Sequence, residues 1–384
     1  MIYLDNAATT CIDPRVKLAM FECECYANPS SIHKEGMKAR AYINQARESV
    51  ADLLNCEPEQ VIFTSGGSES NAMVLRGYSE THYIAENMIA ISAVEHESVQ
   101  ENAVRFFPEA VSPIVLPVSS CGTVLFDDMI RVLEHENVKL VSVMGTNNEI
   151  PSTNCIQEIA TICHENGASF HTDCVQAVGE MLLDVQQIGC DFMSLSAHKF
   201  HGPKGIGILY CKDKSTLLPG IRGSESQEFG LKGGTENLMG IIGAGKAAKI
   251  AKSEHSAIIN HIDRIKHRFY SDLMRHLSAM NIQKIAHSNG FQPHLTSKIL
   301  SMTFDGVDAQ SLVLALSARG VCISAGSACN SNASTSSKVL KAIGLSDEQA
   351  HSTVRFSFSK YTSEEDVISA AVIVASVVQS MLVA

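Results

Sequence analysis

Short apolar segments and longer amphipathic segments alternate between residues 61 and 210. Apolar runs of a few residues are typical of buried strands, whereas apolar residues that recur every three to four positions are typical of helices packed on one face. We therefore predict buried strands, with helical stretches between them, at residues 61–64, 89–92, 140–144 and 192–195. This alternation predicts an α/β fold with a mainly parallel sheet flanked by helices.

The C-terminal part of the chain repeats this kind of pattern with fewer elements. We predict alternating helices and strands at residues 258–277, 299–304, 310–318 and 353–358. They indicate a second, smaller α/β unit that begins near residue 256. We interpret the glycine-rich stretch 220–234, with residues 235–237 and a helix that ends near residue 253, as the bridge to this unit.

Composition and charge limit the class of protein. The chain of 384 residues is 45% hydrophobic and 18% charged, as expected for a globular protein and not for a disordered one. Its formal net charge is -11, and no basic face is evident to bind phosphates. We therefore expect no direct binding to nucleic acid.

The two ends of the chain and its cysteines bear on its location. Residues 1–5 do not begin a signal peptide, and twelve cysteines in a chain of this length indicate reduced, cytosolic thiols, so we expect a cytoplasmic protein. The apolar tail 370–384 is short and interrupted by polar residues. We expect it to form a docking helix and to make no membrane span.

Polar residues occur where the predicted strands end. They are Gly67-Ser68, His96, Asn148, Asp173 and Lys199. Open α/β sheets bind their ligands outside the carboxyl ends of the strands. Each of these residues alone has an ordinary structural explanation, but their position at five strand ends predicts one shared cleft.

Lys199 and the Gly67-Ser68 turn suggest the chemistry of this cleft. Lys199 lies between a strand end and the Gly202-Pro203 turn. A lysine held partly out of water loses its charge more easily, as an amine must to form a Schiff base. Gly67-Ser68 opens a helix whose N–H groups suit a phosphate, although no Walker motif follows. A solvated loop lysine and plain helix capping by Ser68 are open alternatives at this point.

Cys329 differs from the other cysteines in its surroundings. It lies in residues 324–337, a run of small polar residues, so we predict an exposed and mobile thiol. We predict as small core residues the cysteines in or beside apolar segments, which are Cys155, Cys163, Cys174, Cys190 and Cys322. No pair of cysteines or histidines is followed by a second pair at the spacing of a zinc site, so we predict no metal site.

An ordered set of motifs runs along nearly the whole chain. They are Tyr3-Leu4-Asp5-Asn6-Ala7-Ala8-Thr9-Thr10, Phe63-Thr64-Ser65-Gly66, Glu95-His96, Asn147-Asn148-Glu149-Ile150, Asp173-x-x-Gln176, Ser196-x-His198-Lys199, Gly202-Pro203-Lys204-Gly205, Gly234-Thr235-Glu236-Asn237, Gly326-Ser327-Ala328-Cys329 and Arg355-Phe356-Ser357. In this order they make the chain resemble the pyridoxal-phosphate-dependent cysteine desulfurases of the nitrogen-fixation and iron–sulfur type. The resemblance implies the class V aminotransferase version of the fold-type I transferases. It also implies a large domain at 12–255 and a small domain, with the mobile cysteine, at 1–11 and 256–384.

The resemblance implies a role for each cofactor residue. Lys199 would form the Schiff base with pyridoxal 5′-phosphate and later transfer the substrate proton. Asp173 would pair with the pyridine nitrogen, Gln176 would hydrogen-bond the phenolic oxygen, and His96 would stack on the ring and assist proton transfer. The residues that would contact the phosphate or another part of the cofactor are Gly67, Ser68, Asn148, Ser196, His198 and Thr235.

The resemblance also implies the reaction and its partners. Arg355, helped by Asn148, would bind the carboxylate of L-cysteine at two points. The Cys329 thiolate would attack the substrate sulfur, which leaves a persulfide on the enzyme and alanine as product. Thr235 would reach the site of a partner subunit, which implies a homodimer.

The resemblance leaves the sulfur acceptor open. Acceptor proteins for iron–sulfur assembly, tRNA thiolation or DNA phosphorothioation are all compatible with it. The chain has Pro151 where a glycine is usual, and it lacks the usual segment after Cys329. A selenocysteine lyase, an aminotransferase-like enzyme and a non-catalytic docking scaffold are the alternative hypotheses.

Overall fold

A seven-stranded sheet lies at the centre of the computed structural model. The structure describes residues 1–81, 88–106, 112–290, 297–326 and 336–383. In spatial order the strands are β2 (Val61–Thr64), β8 (Gly207–Cys211), β7 (Phe192–Ser196), β6 (Ser169–Asp173), β5 (Val138–Ser142), β3 (Met88–Ser92) and β4 (Ile114–Leu116). Strand β8 is antiparallel to β2 and β7, and the other pairs are parallel. The predicted mainly parallel sheet is therefore confirmed.

Helices cover both faces of this sheet. They are α1 (Pro14–Phe21), α2 (Lys34–Leu54), α3 (Gly67–Thr81), α4 (Glu97–Phe106), α5 (Phe126–His135), α6 (Ile156–Glu165), α7 (Val185–Ile188) and α8 (Leu238–Ser253). Successive residues of a strand point to opposite faces. Val61 and Phe63 accordingly belong to the core beneath α2 and α8, whereas Ile62 belongs to the core beneath α3 and α4.

A second group of elements has its own sheet and its own core. The strands are β1 (Ile2–Tyr3), β9 (Ala286–Asn289), β10 (Ile299–Phe304), β11 (Val321–Cys322), β12 (Ser324–Ala325) and β13 (Thr353–Ser357). The helices are α9 (His255–Ala279), α10 (Ala309–Ala318), α11 (Lys338–Ala342), α12 (Asp347–His351) and α13 (Glu364–Val383). The first residues of the chain join this group, because β1 pairs in parallel with β11 and Leu4 is buried in its core.

The stretch 220–234 is not the bridge that its glycines suggested. Glu228 in this stretch is buried, and its carboxylate accepts hydrogen bonds from the Phe63 backbone N–H at 2.7 Å and from the Arg47 guanidinium at 2.6 and 3.0 Å. The stretch is therefore fastened to the large sheet. The chain passes to the second group only after α8, at His255.

The C-terminal helix is longer than the apolar tail from which it was predicted. Among the described residues, α13 is a helix whose length and composition would allow it to cross a membrane. It packs along α9 in the second core, and its buried residues recur at helical spacing. They are Val367, Ala370, Ala371, Val374, Ala375, Val377 and Val378. This packing agrees with a docking helix. The helix begins six residues before the predicted tail, however, and with 20 residues it is not too short for a membrane span.

The cysteines predicted in the core differ in their exposure. Cys163, Cys174 and Cys190 are buried as predicted. Cys155 is exposed because it lies just before the first turn of α6, and Cys322 is half-buried in the two-residue strand β11. Within the described ranges no disulfide forms.

A buried carboxylate joins the two groups of elements. Asp13 is 1% exposed and accepts hydrogen bonds from Arg15 and, at 2.6 Å, from the Lys360 ammonium of the second group. Burial alone would raise the pKa of Asp13, but the hydrogen bonds from Arg15 and Lys360 outweigh burial and hold this pKa well below its ordinary value. Glu254 adds a second carboxylate beside Arg15 and Lys360.

We expect Asp13→Asn to lower the free energy of unfolding by about 3 kcal/mol at pH 7, because it leaves Lys360 without its buried partner. An asparagine side chain keeps the oxygen that caps helix α1. The loss in the free energy of unfolding therefore measures the contribution of the Asp13 charge. Because the pKa of Asp13 is depressed in the folded state, its stabilisation is present above its ordinary pKa of 3.8 and is lost as the pH falls below that value. Urea unfolding at pH 7 and pH 3.5 measures both effects.

Asp52→Asn is the matched control, because the Asp52–Lys252 pair lies on the surface with 66% and 47% of the side chains exposed. Its effect on the free energy of unfolding should stay below about 0.5 kcal/mol. Equal effects of the two substitutions would contradict a stabilising role of the buried pair.

Candidate active site

The polar residues predicted at the strand ends meet at one edge of the large sheet. Strands β2, β3, β5, β6 and β7 all run in the same direction, so their carboxyl ends share this edge. A cavity of about 340 Å³ opens there. The predicted site residues that line it are Gly67, Ser68, His96, Asn148, Asp173, Gln176, Ser196, His198, Lys199 and Arg355. The structure therefore brings these ten residues together around one cavity, and their roles stay predictions.

Two predicted site residues are not described in this cavity. Thr235 is exposed and does not line it. Cys329 lies outside the described residues, so its predicted exposure and mobility stay predictions. Within the described ranges no group of three histidine, cysteine or acidic side chains is placed to hold a metal ion.

Lys199 reaches the cavity from a turn that follows a buried strand. Strand β7 ends at Ser196 and continues as a single 3-10 turn, Ala197–Lys199. The Lys199 ammonium donates hydrogen bonds to the backbone oxygens of Ala7, at 2.5 Å, and Ala8, at 2.9 Å. The N-terminal segment thus orients the lysine, a contact that the sequence pattern did not reveal.

Asp173 and Gln176 lie at the end of β6. Both side chains are buried, at 4% and 3% exposure. Asp173 accepts one hydrogen bond on each carboxylate oxygen, from Asn71 Nδ2 at 2.7 Å and from the Val175 N–H at 2.9 Å. Gln176 Nε2 donates to the Ala7 carbonyl at 2.8 Å, and its buried Oε1 has no partner among the described residues. The Gln176 amide is therefore only partly satisfied.

The start of α3 forms a close-packed wall of the cavity. A Cβ on Gly67 would lie 2.5 Å from Val175 Cγ2, so a side chain does not fit there. Ser68 is exposed at the first turn of the helix, where N–H groups without helical partners favour an anion. The Gly67-Ser68 turn thus combines a helix start with access to the cavity.

His198 closes the cavity beside Lys199. Burial first, and then the neighbouring Lys199 charge, lower the pKa of His198 to about 4. Its Nδ1 lies 3.0 Å from Thr9 Oγ1 of the N-terminal segment. His198 is therefore a neutral hydrogen-bonding group at neutral pH.

Arg355 enters the cavity from β13. Its guanidinium is 3% exposed and donates to the Asn148 backbone oxygen at 2.6 Å and to Asp5 Oδ1 at 2.8 Å. Its Nε is buried and has no partner among the described residues. A buried donor without an acceptor costs free energy, so this N–H is placed for a ligand atom. Asp5 lies in the motif at residues 3–10, and nothing in the sequence predicted its contact with Arg355.

Two acidic residues of the cavity were missed because nothing in the sequence marks their burial. Burial raises the pKa of Glu95 to about 8, although the Ser92 hydroxyl and the Met144 N–H both donate to its Oε1. Burial also raises the pKa of Glu149 to about 7, and its Oε2 accepts from Ser337 Oγ at 2.5 Å. Glu95 is therefore largely protonated at neutral pH.

A model of the aminotransferase class-V family matches residues 2–369, and the chain belongs to this family. Cysteine desulfurase IscS of Dictyoglomus turgidum is 38% identical over 95% of this chain and 91% of that protein. The protein of the same name from Methanosarcina thermophila is 35% identical, over 99% and 92% of the two chains.

Solved structures agree with this assignment. A NifS-like protein superposes with a TM-score of 0.88, at 30% identity and 99% coverage of both chains. SspA in complex with cysteine superposes with a TM-score of 0.77, at 32% identity, over 94% of this chain and 100% of that one. The predicted fold class and family resemblance are therefore confirmed.

The residues of the cavity fit pyridoxal 5′-phosphate, the cofactor of this family. A lysine, a buried carboxylate and a helix start without a Cβ line the same space. The unpartnered Oε1 of Gln176 and the buried Asp173 carboxylate are polar groups that a ring with a pyridine nitrogen and a phenolic oxygen would satisfy. The polar groups that line the cavity therefore fit the cofactor of this family.

We expect Glu95→Gln to change the pH dependence of stability. The pKa of Glu95 is raised in the folded state from 4.5 to about 8, so its full contribution exists below pH 4.5 and is lost as the pH rises towards 8. Relative to Glu95→Gln, the wild type should lose about 3 kcal/mol of unfolding free energy between pH 5 and pH 8.5. Urea unfolding at both pH values measures the difference.

Glu134→Gln, at an exposed position of α5, is the control. It should alter the free energy of unfolding by less than about 0.5 kcal/mol at either pH. A wild type and a Glu95→Gln variant with parallel pH profiles would show that Glu95 ionises normally.

Proposed function

We propose that the chain is a cysteine desulfurase that converts L-cysteine to L-alanine and receives the sulfur on Cys329 as a persulfide. The observation that carries the proposal is the buried Arg355 Nε without a partner in the cavity that Lys199 also lines. A carboxylate is the natural acceptor for this donor. Relatives named cysteine desulfurase, and a similar structure that binds cysteine, support the same substrate.

The cofactor would be held by residues at the sheet edge. Lys199 would bind it covalently, Asp173 would face its pyridine nitrogen, and Gln176 its phenolic oxygen. The phosphate contacts would come from Gly67, Ser68, Ser196 and His198, with Asn148 beside the ring. When bound, the cofactor supplies an electron sink that makes the α-hydrogen of an amino acid acidic.

Arg355 and Asn148 would position the substrate. Asp5 and the Asn148 carbonyl hold the two terminal nitrogens of the guanidinium at 2.8 and 2.6 Å, which fixes its plane. A planar guanidinium binds a carboxylate at two points, and a lysine at this position could not. The substrate sulfur would then be directed towards the outside of the sheet edge.

Lys199 and His96 would move protons. The backbone oxygens of Ala7 and Ala8 orient the Lys199 amine, which in its neutral form would accept a proton from a substrate held in the cavity. His96 lines the same cavity at the start of α4 and would act as a second proton-transfer group. Arg355, which stays charged, would take no part in proton transfer.

Cys329 would attack the substrate sulfur as a thiolate. A sulfur–sulfur bond forms as the carbon–sulfur bond breaks, and the electron pair of the broken bond stays with the carbon, which takes up a proton to give alanine. The described residues on either side of segment 327–335 flank Glu149. Ser337 Oγ donates to its Oε2 at 2.5 Å, and a Cβ on Gly326 would lie 3.8 Å from that oxygen. This supports attachment of the segment beside the cavity.

The proposal extends to partners and location. Thr235, exposed in one chain, would contact the cofactor phosphate of a partner subunit in a homodimer. The enzyme would work in the cytoplasm, without binding a membrane or nucleic acid directly. Its persulfide would pass to acceptor proteins for iron–sulfur clusters, tRNA thiolation or DNA phosphorothioation.

We expect Cys329→Ala to abolish alanine release from cysteine and persulfide formation, because no other thiol would take the sulfur. The variant should keep the visible absorption band of the lysine-bound cofactor, and Lys199→Ala should lack that band. Chromatographic detection of alanine, persulfide labelling and absorption spectra measure these results.

Cys11→Ala is the matched control, because Cys11 is an exposed thiol on the N-terminal segment. It should retain activity within about twofold. Alanine release by Cys329→Ala would overturn the persulfide step and favour a lyase or an aminotransferase-like reaction. A wild type without the visible band would favour a docking scaffold.

We expect Arg355→Lys to raise KM for cysteine about 10- to 100-fold, because the two-point contact with the substrate carboxylate is lost. Steady-state kinetics measure the change, with Arg76→Lys as the control because Arg76 forms a surface pair with Glu80. An unchanged KM in Arg355→Lys would mean that another group binds the carboxylate.

A further inference from the structure

We propose that Ser98 and Asn71 are positioning residues that fix the proton of the neutral His96 imidazole on Nε2 and connect it through hydrogen bonds to Asp173. The kinetic part of this inference rests on the proposed function, whereas the tautomer does not. The inference rests on four hydrogen bonds whose directions can be assigned from chemistry.

The orientation of the Asn71 side-chain amide fixes which atoms donate in its hydrogen bonds to Asp173 and Ser98. Asn71 is fully buried, and its Nδ2 lies 2.7 Å from Asp173 Oδ2 and 2.9 Å from Ser98 Oγ. The opposite amide orientation would place an oxygen against a carboxylate oxygen, where two acceptors repel each other. Both Asn71 N–H groups are therefore donated, one to Asp173 and one to Ser98.

The direction of the Ser98 hydroxyl depends on the state of His96 Nδ1. The Ser98 oxygen accepts from Asn71, and it lies 2.8 Å from His96 Nδ1. A hydroxyl has one proton to donate and two lone pairs that can accept, so this contact alone allows Ser98 either to donate to Nδ1 or to accept from it.

The start of helix α4 decides between these two directions. The Ser98 backbone N–H donates to His96 Nδ1 at 3.1 Å, as it would to the oxygen of an ordinary helix-capping residue. A proton on Nδ1 would face this N–H head-on. Nδ1 thus accepts two hydrogen bonds, and the proton of the neutral ring lies on Nε2.

This arrangement decides what His96 can do in the cavity. Its Nε2 is the only ring nitrogen left for a ligand, and in the neutral ring it is a hydrogen-bond donor. The same relay reaches Asp173, so the groups proposed to face the cofactor ring and its pyridine nitrogen are held in one hydrogen-bonded set. Ser98 lines the same cavity, and its proposed role is to position His96.

The first test determines the tautomer in the holoenzyme labelled with ¹⁵N-histidine. Long-range proton–nitrogen correlation spectra should show the His96 proton on Nε2, with the signals assigned by their loss in His96→Gln. A proton on Nδ1 would overturn the inference, whatever the enzyme's activity. Because this result needs no turnover, it also separates the inference from the proposed function.

The second test removes the hydroxyl. Ser98→Ala should shift the His96 Nδ1 resonance and lower kcat for alanine formation about tenfold, with KM for cysteine changed less than about twofold. Ser98→Thr keeps the hydroxyl and should restore both values. If Ser98→Ala has an unchanged Nδ1 resonance, or if Ser98→Thr is as slow as Ser98→Ala, the hydroxyl does not position His96.

Discussion

A guanidinium buried where three parts of the chain meet organises the candidate active site. Arg355 carries its charge at 3% exposure, and a buried charge is tolerated only with a compensating partner. Asp5 supplies the opposite charge and is itself held by Ser324 Oγ at 2.8 Å. Strand β13, the N-terminal segment and the loop after β5 are thereby drawn together. The same N-terminal segment then brings the Ala7 and Ala8 carbonyls to Lys199.

Two neighbouring carboxyl groups differ in their local hydrogen bonding. Asp173 has a donor on each oxygen, as a carboxylate requires. Glu95 has donors only on Oε1, and its buried Oε2 has no partner among the described residues, so burial raises its pKa to about 8. At this edge of the sheet Glu95 is therefore a neutral acid, whereas Asp173 accepts a hydrogen bond on each oxygen. A carboxyl group whose burial keeps it protonated at neutral pH is typical of catalytic sites.

The sheet and its polar edge could be predicted because they depend on local patterns. Apolar runs locate the strands, and a residue at a strand end stays at that end in the fold, as Lys199 does. The ion pair of Arg355 with Asp5 joins residues 350 positions apart, and no periodicity marks such a pair. The stretch 220–234 was misinterpreted because glycine indicates a turn but does not reveal whether the turn is buried. The buried Glu228 holds this stretch against the large sheet, and the glycine pattern does not reveal that burial.

Buried charge also determines how the two groups of elements meet behind the site. Lys298, just before β10, is 5% exposed, and its ammonium donates to the Gln176 carbonyl at 2.7 Å and lies 3.3 Å from Glu180 Oε1. Separation of such a pair would leave both charges uncompensated in a medium of low polarity. The position of Gln176 in the cavity therefore depends on an ion pair between the two groups, in addition to the strand that carries it.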